Sequence, residues 1–485
     1  MRLRDRIGMD SSKRRHVDAA DRLGDLPDCL LHCIISLLGS RQAMQTSVLS
    51  RRWRHLWREV PCAVIDEREF ADDQWERFED FADHMLSSLP AAVELDAFRL
   101  HLVSSRADHC GYMFPDRWIR RGLQRFPATV DISTDHHGTV FWQPHASIVY
   151  FYAAPTAPRQ PDLSSKGICA AGFTRRLTTL RLVGVNLASS FLEGLGRYCP
   201  VLQDLHVERC RMDKLLAVAS PTLKRLTVVD PSESLARAEI KLAAPCLAYL
   251  LLEIPYNGQN RYSVAGAAAP ERLASLADAS IRLMDTSRDW QPNQRARKKR
   301  KLEFLKSMRS FLALMPNVTK LRLSGFTTTV RMHLHSLVDQ SFGKAIGVMN
   351  SSRFYLIFLY FQALLEEESE EFPMLHNLKA LLLEGCDLGV KFQALTSILW
   401  NTPNLEKLEL DNCTFLAPPF KKSKRKQSSK RHSSTTPVFW CKKLKSIEFK
   451  HRLEDEPHMS KILSEISEGM LPAQWPHIKK SMAVV

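Results

Sequence analysis

Two kinds of hydrophobic spacing divide this chain of 485 residues. From about residue 26 to residue 57, leucine, isoleucine and tryptophan recur three and four residues apart, which is the spacing of one helical face. From residue 177 onward the apolar residues instead follow the pattern LxxLxL. The alternation at the end of that pattern predicts a strand with one buried face. We therefore expect a small helical unit followed by a longer region of repeated strands.

The N-terminal pattern predicts three short helices. Pro27 suits a first helical turn, Gly39 suits a C-terminal stop, and Ser40 and Ser50 can cap two further helices. The apolar residues of the first helix form one broad face: Leu30, Leu31, Ile34, Ile35, Leu37 and Leu38. A stripe at spacing i, i+3 and i+4 consists of Trp53, Leu56 and Trp57. So small a unit has little core of its own, and we expect a partner protein to cover the surplus apolar face.

The strand pattern recurs eight times. Its leading apolar residues are Leu177, Leu202, Leu223, Leu247, Val318, Leu378, Leu405 and Leu444. Intervals of 25, 21, 24 and 27 residues have the period of leucine-rich repeats. The other intervals, of 71, 60 and 39 residues, must hold insertions or degenerate repeats.

Proline and cysteine recur at fixed places in these repeats. A proline stands two residues before the leading apolar position in five of them: Pro200, Pro221, Pro245, Pro316 and Pro403. Because proline cannot continue a helix, it marks a switch from helix to strand. Cys210, Cys386 and Cys413 follow the last apolar position by three residues, where such repeats place Asn or Cys to satisfy backbone groups of a turn. The predicted unit is strand, turn, helix and proline, and stacked units form a curved parallel sheet.

Residues between the ladder positions must point to the opposite, concave face of that sheet, because strand side chains alternate. We interpret this face as a groove that binds a target protein, with a third of its residues or so in contact, since hot spots are sparse. The candidate target-binding residues are Arg181, His206, Thr227, Leu251, Arg322, Leu382, Glu409 and Glu448.

The sequences LPDCLL, at residues 26–31, and TSVLSRRWRHLW, at residues 46–57, resemble the F-box. That resemblance implies docking onto a Skp-type adaptor, which links to a cullin and its ubiquitin-transfer machinery. By matching position the adaptor-binding residues would be Leu26, Pro27, Leu30, Ile34, Val48, Leu49, Trp53, Leu56 and Trp57. For the tryptophans and leucines, a purely structural role in the core stays an alternative. Nearly the whole chain resembles plant F-box proteins with leucine-rich repeats, a group that often carries a C-terminal FBD segment.

The predicted fold class is therefore α/β: an N-terminal three-helix F-box at 21–65, followed by a leucine-rich-repeat solenoid with a curved parallel sheet at 175–450. Residues 66–174 are interpreted as a connecting region with degenerate repeats, and 451–485 as a C-terminal cap that could be a diverged FBD segment. Insertions are expected at about 255–315, 344–361 and 418–437. The second of these interrupts the repeat pattern, and we keep the hypothesis that it is an artefact of the gene model, which sequencing of the transcript would test.

The formal net charge of +15 is concentrated in two runs. Residues 295–301 contribute +6 and residues 421–431 contribute +7, so the rest of the chain carries only +2. Such runs are typical of solvated loops and of nuclear-import signals, and lack the aromatic residues that stack on bases. The N-terminus has no apolar segment of a secretory signal, and the eleven cysteines fit a reducing compartment. We expect a location in the nucleus and/or the cytoplasm, and the apolar run at 354–361 is too short to cross a membrane.

Motifs of catalysis are not found in the sequence. It has no phosphate loop, dinucleotide-binding turn, nucleophile elbow or CxxC pair. Cys29, His32 and Cys33 share helical spacing, but packing or partner contact explains them better than a metal does. We therefore predict no enzyme, no cofactor and no metal site. The expected function is that of a substrate-recognition subunit of a Skp–cullin–F-box ubiquitin ligase. The alternatives are a non-degradative nuclear scaffold and a nucleic-acid-binding protein that uses the basic runs.

Overall fold

The structure is a computed structural model of the chain. The residues that it describes are 25–71, 74–90, 94–103, 113–135, 176–187, 192, 195–212, 215–230, 239–256, 263–266, 273–285, 311–325, 373–386, 393–413, 443–451 and 477–482. Within these ranges, three short helices at the N-terminus lead into one long parallel sheet.

The three helices are α1 at Asp28–Ser36, α2 at Ser40–Gln45 and α3 at Trp53–Leu56, with 3-10 turns at Thr46–Val48 and Trp57–Glu59. Helix α1 begins directly after Pro27, which was predicted to lie within its first turn, and the Pro27 carbonyl accepts the N–H groups of Leu30 and Leu31. The predicted capping roles are wrong in three places. Gly39 precedes α2 and does not end α1, Ser40 is the first residue of α2, and α3 begins only at Trp53, so Ser50 caps no helix.

Thirteen parallel strands form the main sheet. In spatial order they are β1 at Cys62–Asp66, β2 at Ala97–Leu102, β3 at Thr129–Thr134, β4 at Thr179–Val183, β6 at Asp204–Glu208, β9 at Arg225–Val229, β11 at Tyr249–Tyr256, β13 at Asp278–Asp285, β14 at Lys320–Ser324, β15 at Ala380–Glu384, β16 at Lys407–Asp411, β17 at Ser446–His451 and β18 at His477–Met482. Each neighbouring pair is parallel, and the first and last strands do not pair with each other. The predicted α/β solenoid is confirmed.

The leucine ladder forms the core because neighbouring strands pair in register. Leu180 lies beside Leu205, which lies beside Leu226, which lies beside Leu250, and all four are at most 1% exposed. Burying a leucine side chain contributes about 1.5–3 kcal/mol relative to leaving it in water. A single cluster of buried residues extends from α1 to β17, so the helical unit and the repeats share one core.

The connecting region also belongs to the sheet. Strands β1, β2 and β3 continue its N-terminal end, and two helices, α4 at Trp75–Ser88 and α5 at Met113–Leu123, lie between them in sequence. Trp118 lies in α5, and Val130 and Ile132 lie in β3.

The range 255–315, interpreted as an insertion, contains a repeat that the sequence pattern concealed. Strand β13 lies in it and pairs with β11 on one side and β14 on the other. Its ladder positions are occupied by Ala279 and Ile281, both fully buried. Because the small Ala279 stands where the eight LxxLxL repeats have a leucine or isoleucine, the pattern does not show this strand.

The return segments of the repeats are helical in some units and extended in others. Helices α6 at Leu195–Tyr198 and α7 at Gln393–Trp400 agree with the predicted unit. Three other segments, β8 at Leu215–Ala219, β10 at Glu239–Ala243 and β12 at Ser263–Gly266, form a second parallel sheet instead. The predicted helix is wrong there because these segments are short and alternate apolar with polar or small residues. Two further short strands, β5 at Asn186–Leu187 and β7 at Arg211–Met212, pair with each other.

Candidate functional site

Helix α1 presents one apolar face to the core and another to solvent. Leu31 and Ile35 are fully buried, whereas Leu30, Ile34 and Leu37 are 47%, 36% and 86% exposed. Side chains three or four residues apart lie on one side of a helix, so the exposed three form a strip along α1 and its C-cap, Leu37.

Two further exposed apolar residues precede α3. Val48 is 85% and Leu49 is 65% exposed, at the end of the 3-10 turn that follows α2. We call Leu30, Ile34, Leu37, Val48 and Leu49 the F-box apolar surface. In the part of the chain that the structure describes, only two other large hydrophobic residues are as exposed as these, Met374 and Trp400.

The structure separates the nine predicted adaptor-binding residues into two groups. Leu30, Ile34, Val48 and Leu49 are exposed, as is Pro27, and Leu26 is partly buried. Trp53, Leu56 and Trp57 are instead 6%, 7% and 3% exposed and belong to the core. The alternative, that these three serve as core, fits their burial, and direct contact with an adaptor does not. Leu37 was missing from the predicted set, although it belongs to the apolar pattern of the first helix.

The helical unit is fixed to the first strand of the sheet by specific contacts. The hydroxyl of Ser40 accepts the N–H of Val64 in β1 at 2.7 Å, and the Arg41 guanidinium lies 4.1 Å from the centre of the Phe70 ring. Because the Ser40 bond joins α2 to β1 and the Arg41 contact joins α2 to the segment that follows β1, the F-box apolar surface has a defined position relative to the sheet.

The eight predicted target-binding residues form a single row across the concave face. Two runs of four lie directly opposite one another in the register of the strands, from Arg181 in β4 to Leu251 in β11 and from Arg322 in β14 to Glu448 in β17. None of the eight is buried. Strand β13 adds Ser280 between Leu251 and Arg322, and β2 and β3 extend the row by Arg99 and Asp131. These three were missed because their strands lack the full LxxLxL pattern.

Ion pairs connect the N-terminal part of this face. Arg181 reaches Asp131 at 3.5 Å and Glu208 at 3.3 Å, and His206 Nε2 lies 3.0 Å from the Glu208 carboxylate. Burial raises the pKa of the Glu208 carboxyl, but the His206 hydrogen bond and the neighbouring charges of Arg209 and Arg181 outweigh it and hold the pKa below its usual value.

The middle of the concave face also carries paired charges. Arg282 donates to the buried carboxylate of Glu253 at 2.8 Å, and Arg322 lies 3.2 Å from Glu384. Glu384 is also 3.9 Å from Arg282, so the two arginines share it.

Two lysines and two glutamates pair at the C-terminal end of the concave face. Lys407 pairs with Glu409 and with Glu448, the latter at 3.1 Å, and Lys450 approaches Glu409 at 3.5 Å. The hydrogen bonds to Glu409 and Glu448 raise the pKa of the Lys407 ammonium. Burial raises the pKa of Glu409, but the bonds from Lys407 and Lys450 outweigh it and lower that pKa.

Comparison with known proteins identifies the family. The F-box domain matches residues 23–64. The MEIOTIC F-BOX protein MOF of Oryza sativa subsp. japonica is 38% identical over 470 residues, which cover 94% of this chain and 85% of the rice protein. The chain belongs to the plant F-box proteins with leucine-rich repeats.

Two relatives from Arabidopsis thaliana combine the same features in their names. F-box/LRR-repeat protein 13 is 30% identical over 258 residues, and an F-box/FBD/LRR-repeat protein is 30% identical over 250 residues. Each comparison covers 50% of this chain, and 55% and 54% of the relative. This F-box protein thus spans about half the length of both, and the predicted family is confirmed.

A serine, a histidine and an aspartate meet at the carboxyl ends of β2 and β3 in this F-box protein. His101 Nδ1 lies 2.6 Å from Ser133 Oγ, and its Nε2 lies 3.2 Å from Asp135. The Asp135 side chain is 46% exposed, and Ser133 lies within a regular strand, in contrast to the strained turn of a nucleophile elbow. We interpret the contacts as a polar network that joins two strand ends. No group of His, Cys, Asp or Glu in the described ranges has the arrangement of a metal site.

Several predicted features of this F-box protein lie outside the described residues: the basic runs at 295–301 and 421–431, the apolar run at 354–361, the segment 344–361 and most of the C-terminal cap at 451–485, of which only 451 and 477–482 are described. Among the helices that the structure describes, none is both long and apolar enough to span a bilayer.

Proposed function

We propose that this F-box protein is the substrate-recognition subunit of a Skp–cullin–F-box ubiquitin ligase. The F-box apolar surface docks a Skp-type adaptor, and the concave face of the sheet holds a target protein. The protein itself breaks no bond. It raises the rate of ubiquitin transfer by bringing the target close to the ubiquitin-charged enzyme.

The exposure of the F-box apolar surface is the observation that supports this proposal. Five large apolar side chains are exposed within a unit whose other described leucine, isoleucine, valine, methionine and tryptophan side chains are buried or partly buried. Monomeric proteins seldom expose apolar residues in such a cluster unless a partner covers them. Covering a leucine or valine side chain contributes about 1.5–3 kcal/mol, so a few of them suffice to stabilise a complex.

Introducing negative charge on this surface by substitution tests adaptor docking. Val48→Asp with Leu49→Asp should reduce affinity for a purified plant Skp-type adaptor by about a hundredfold, because each carboxylate would lose its water on binding. Met374→Asp is the matched control, since Met374 is also exposed but lies far along the chain in the repeats. Binding of the double variant at the affinity of the unchanged protein would contradict the proposal.

A non-degradative scaffold would bind the same adaptor, so a second measurement separates the two functions. Proteins bound to the repeats should be ubiquitinated in a reconstituted ligase and should persist longer in cells in which the proteasome is inhibited. Targets with unchanged half-lives would favour the scaffold. Because one relative is named a meiotic F-box protein, tissue in meiosis is the first place to look for targets.

A location in the nucleus and/or the cytoplasm remains part of the proposal. A fluorescent fusion lacking residues 295–301 and 421–431 would test whether these basic runs direct nuclear import.

A further inference from the structure

We infer that a depression in the concave face, across β11 to β16, binds an extended target segment that carries an aspartate or glutamate side chain together with an apolar one. This inference rests on the proposed function, since it names the chemistry of the target held by that face. The depression has a volume of about 340 Å³ and follows two rows of side chains. One row consists of Tyr249, Asp278, Lys320, Ala380 and Lys407, and the other of Leu251, Ser280, Arg322, Leu382 and Glu409.

Small residues give the depression its depth. Ala380 has the smallest side chain of the first row, and Ser280 has that of the second. Each is flanked in its row by longer side chains on the neighbouring strands, Lys320 and Lys407 beside Ala380, and Leu251 and Arg322 beside Ser280. Two low points therefore lie among the larger side chains that flank them in these two rows.

We infer the apolar side chain of the target segment from Leu251 and Leu382. Both are only partly buried and lie on the face opposite the leucine ladder, among charged residues. They are three strands apart, which corresponds to about 14 Å at a strand spacing of roughly 4.8 Å. An extended segment rises about 3.3 Å per residue, so about four residues of a target reach from one leucine to the other.

We infer the acidic side chain of the target segment from the lysines on either side of Ala380. Lys320 and Lys407 stand on either side of it, about 10 Å apart at the Cα atoms by strand spacing, which leaves room for one carboxylate. Lys407 already pairs with Glu409 and Glu448. Lys320 is exposed and forms no ion pair with any residue that the structure describes.

The neighbouring charges favour an acid at this point over a base. Arg322, two residues along β14 from Lys320, is a further cation, and its partner Glu384 is shared with Arg282. Asp278 lies on the other side of Lys320, one strand farther from Ala380, and likewise forms no ion pair within the described residues. A carboxylate over Ala380 can therefore pair with Lys320, whereas a lysine or arginine there is repelled by it.

Selection from a random library of 12-residue peptides displayed on phage tests the inference, with the full-length chain bound to its adaptor as the bait. Enriched peptides should combine Asp or Glu with Leu, Ile or Phe within about five residues of it, since Ala380 lies two residues along β15 from Leu382 and three strands from Leu251. Lys320→Glu should shift the enriched charge from acidic to basic, with a loss of about tenfold in affinity for the acidic peptides. Leu382→Asp should remove the apolar preference.

Lys224→Glu is the matched control, because Lys224 is an exposed lysine that does not line the depression. This variant should enrich the same peptides as the unchanged chain. No enrichment, enrichment without an acidic preference, or identical peptides from the Lys320→Glu variant would each overturn the inference. Adaptor binding, measured separately on every variant, reports folding and the proposed function. Loss of adaptor binding would therefore be distinguishable from failure of peptide selection.

Discussion

Arg52 forms an ion pair with Asp28 within the F-box unit, which carries the exposed apolar surface. Its Nε and Nη2 donate to one carboxylate oxygen of Asp28, at 2.9 and 2.5 Å, and Nη2 also donates to the Leu26 carbonyl at 2.5 Å. Val48 and Leu49 lie a few residues before Arg52, and α1 with its exposed strip begins at Asp28. The guanidinium therefore joins the two segments that carry the F-box apolar surface.

We expect Arg52→Ala to lower adaptor affinity about three- to tenfold, since the pair is partly solvent-exposed and its contribution is reduced accordingly. Arg52→Lys should recover little of that loss, because an ammonium cannot reproduce the fork of three hydrogen bonds. Titration calorimetry with the purified adaptor measures both. Arg51→Ala, at the adjacent exposed arginine, is the control and should bind normally. If Arg52→Ala matches that control, the pair does not position the surface.

Asp83 in α4 links this helix to α5, and both helices lie in sequence between the first three strands of the sheet. Its carboxylate accepts the indole N–H of the fully buried Trp118 at 3.0 Å and a bond from Arg121 at 3.0 Å, and it also pairs with Arg117. Asp83→Ala should lower the free energy of unfolding by about 1–3 kcal/mol, because it removes the acceptor of a buried N–H and the partner of two arginines. Thermal unfolding measures this effect. Asp80→Asn, at an exposed position on α4, should unfold at the temperature of the unchanged protein.

Gly122 in α5 makes space for the ring of Phe98. A Cβ atom at residue 122 would lie 2.5 Å from that fully buried ring. Gly122→Ala should therefore lower the free energy of unfolding by about 1–3 kcal/mol, even though alanine favours helices by about 1 kcal/mol over glycine. Adding Phe98→Leu should lower the free energy of unfolding less in the Gly122→Ala variant than in the unchanged protein, because the smaller side chain removes the overlap. If Phe98→Leu lowers that free energy equally in both proteins, the overlap is not the cause.

The repeats could be predicted from the sequence because a strand with one buried face fixes the identity of alternate residues. The role of the repeat cysteines in satisfying backbone groups could be predicted as well. The buried Cys210 donates to the carbonyl of Leu182 at 3.4 Å, and Cys413 donates to that of Leu383 at 3.2 Å. Burial raises the pKa of the Cys210 thiol to about 12, which keeps its proton available for this bond. Strand β13 was not predicted, because the small Ala279 occupies the ladder position that Leu250 and Leu321 occupy in the neighbouring strands.

The orientation of the F-box side chains could not be predicted in the same way. Helical spacing shows which residues share a face, but not which face the rest of the chain covers. Trp57 approaches His84 of α4, with ring centres 6.3 Å apart, and this tertiary contact joins segments 27 residues apart. The exposed positions of α1 and of Val48 and Leu49 became clear only when that packing was known.

Acid should weaken the C-terminal end of the repeats through Glu409. The folded state holds the pKa of this carboxyl below its ordinary value, because the bonds from Lys407 and Lys450 outweigh burial. Ionised Glu409 therefore stabilises the fold above a pH of about 4.3, the usual pKa of an unfolded glutamate, and this contribution is lost as the pH falls through the lower folded pKa.

Glu409→Gln should thus lower the free energy of unfolding by up to about 1 kcal/mol at pH 7, and the difference from the unchanged protein should shrink towards zero as the pH falls through the lowered folded pKa of Glu409. Urea unfolding at pH 7 and in acid measures it. Glu76→Gln removes an exposed carboxylate of α4 that forms no ion pair with the described residues, so it should show no such pH-dependent difference. A difference for Glu409→Gln that stays constant, or grows in acid, would show that the carboxylate does not stabilise the sheet through Lys407 and Lys450.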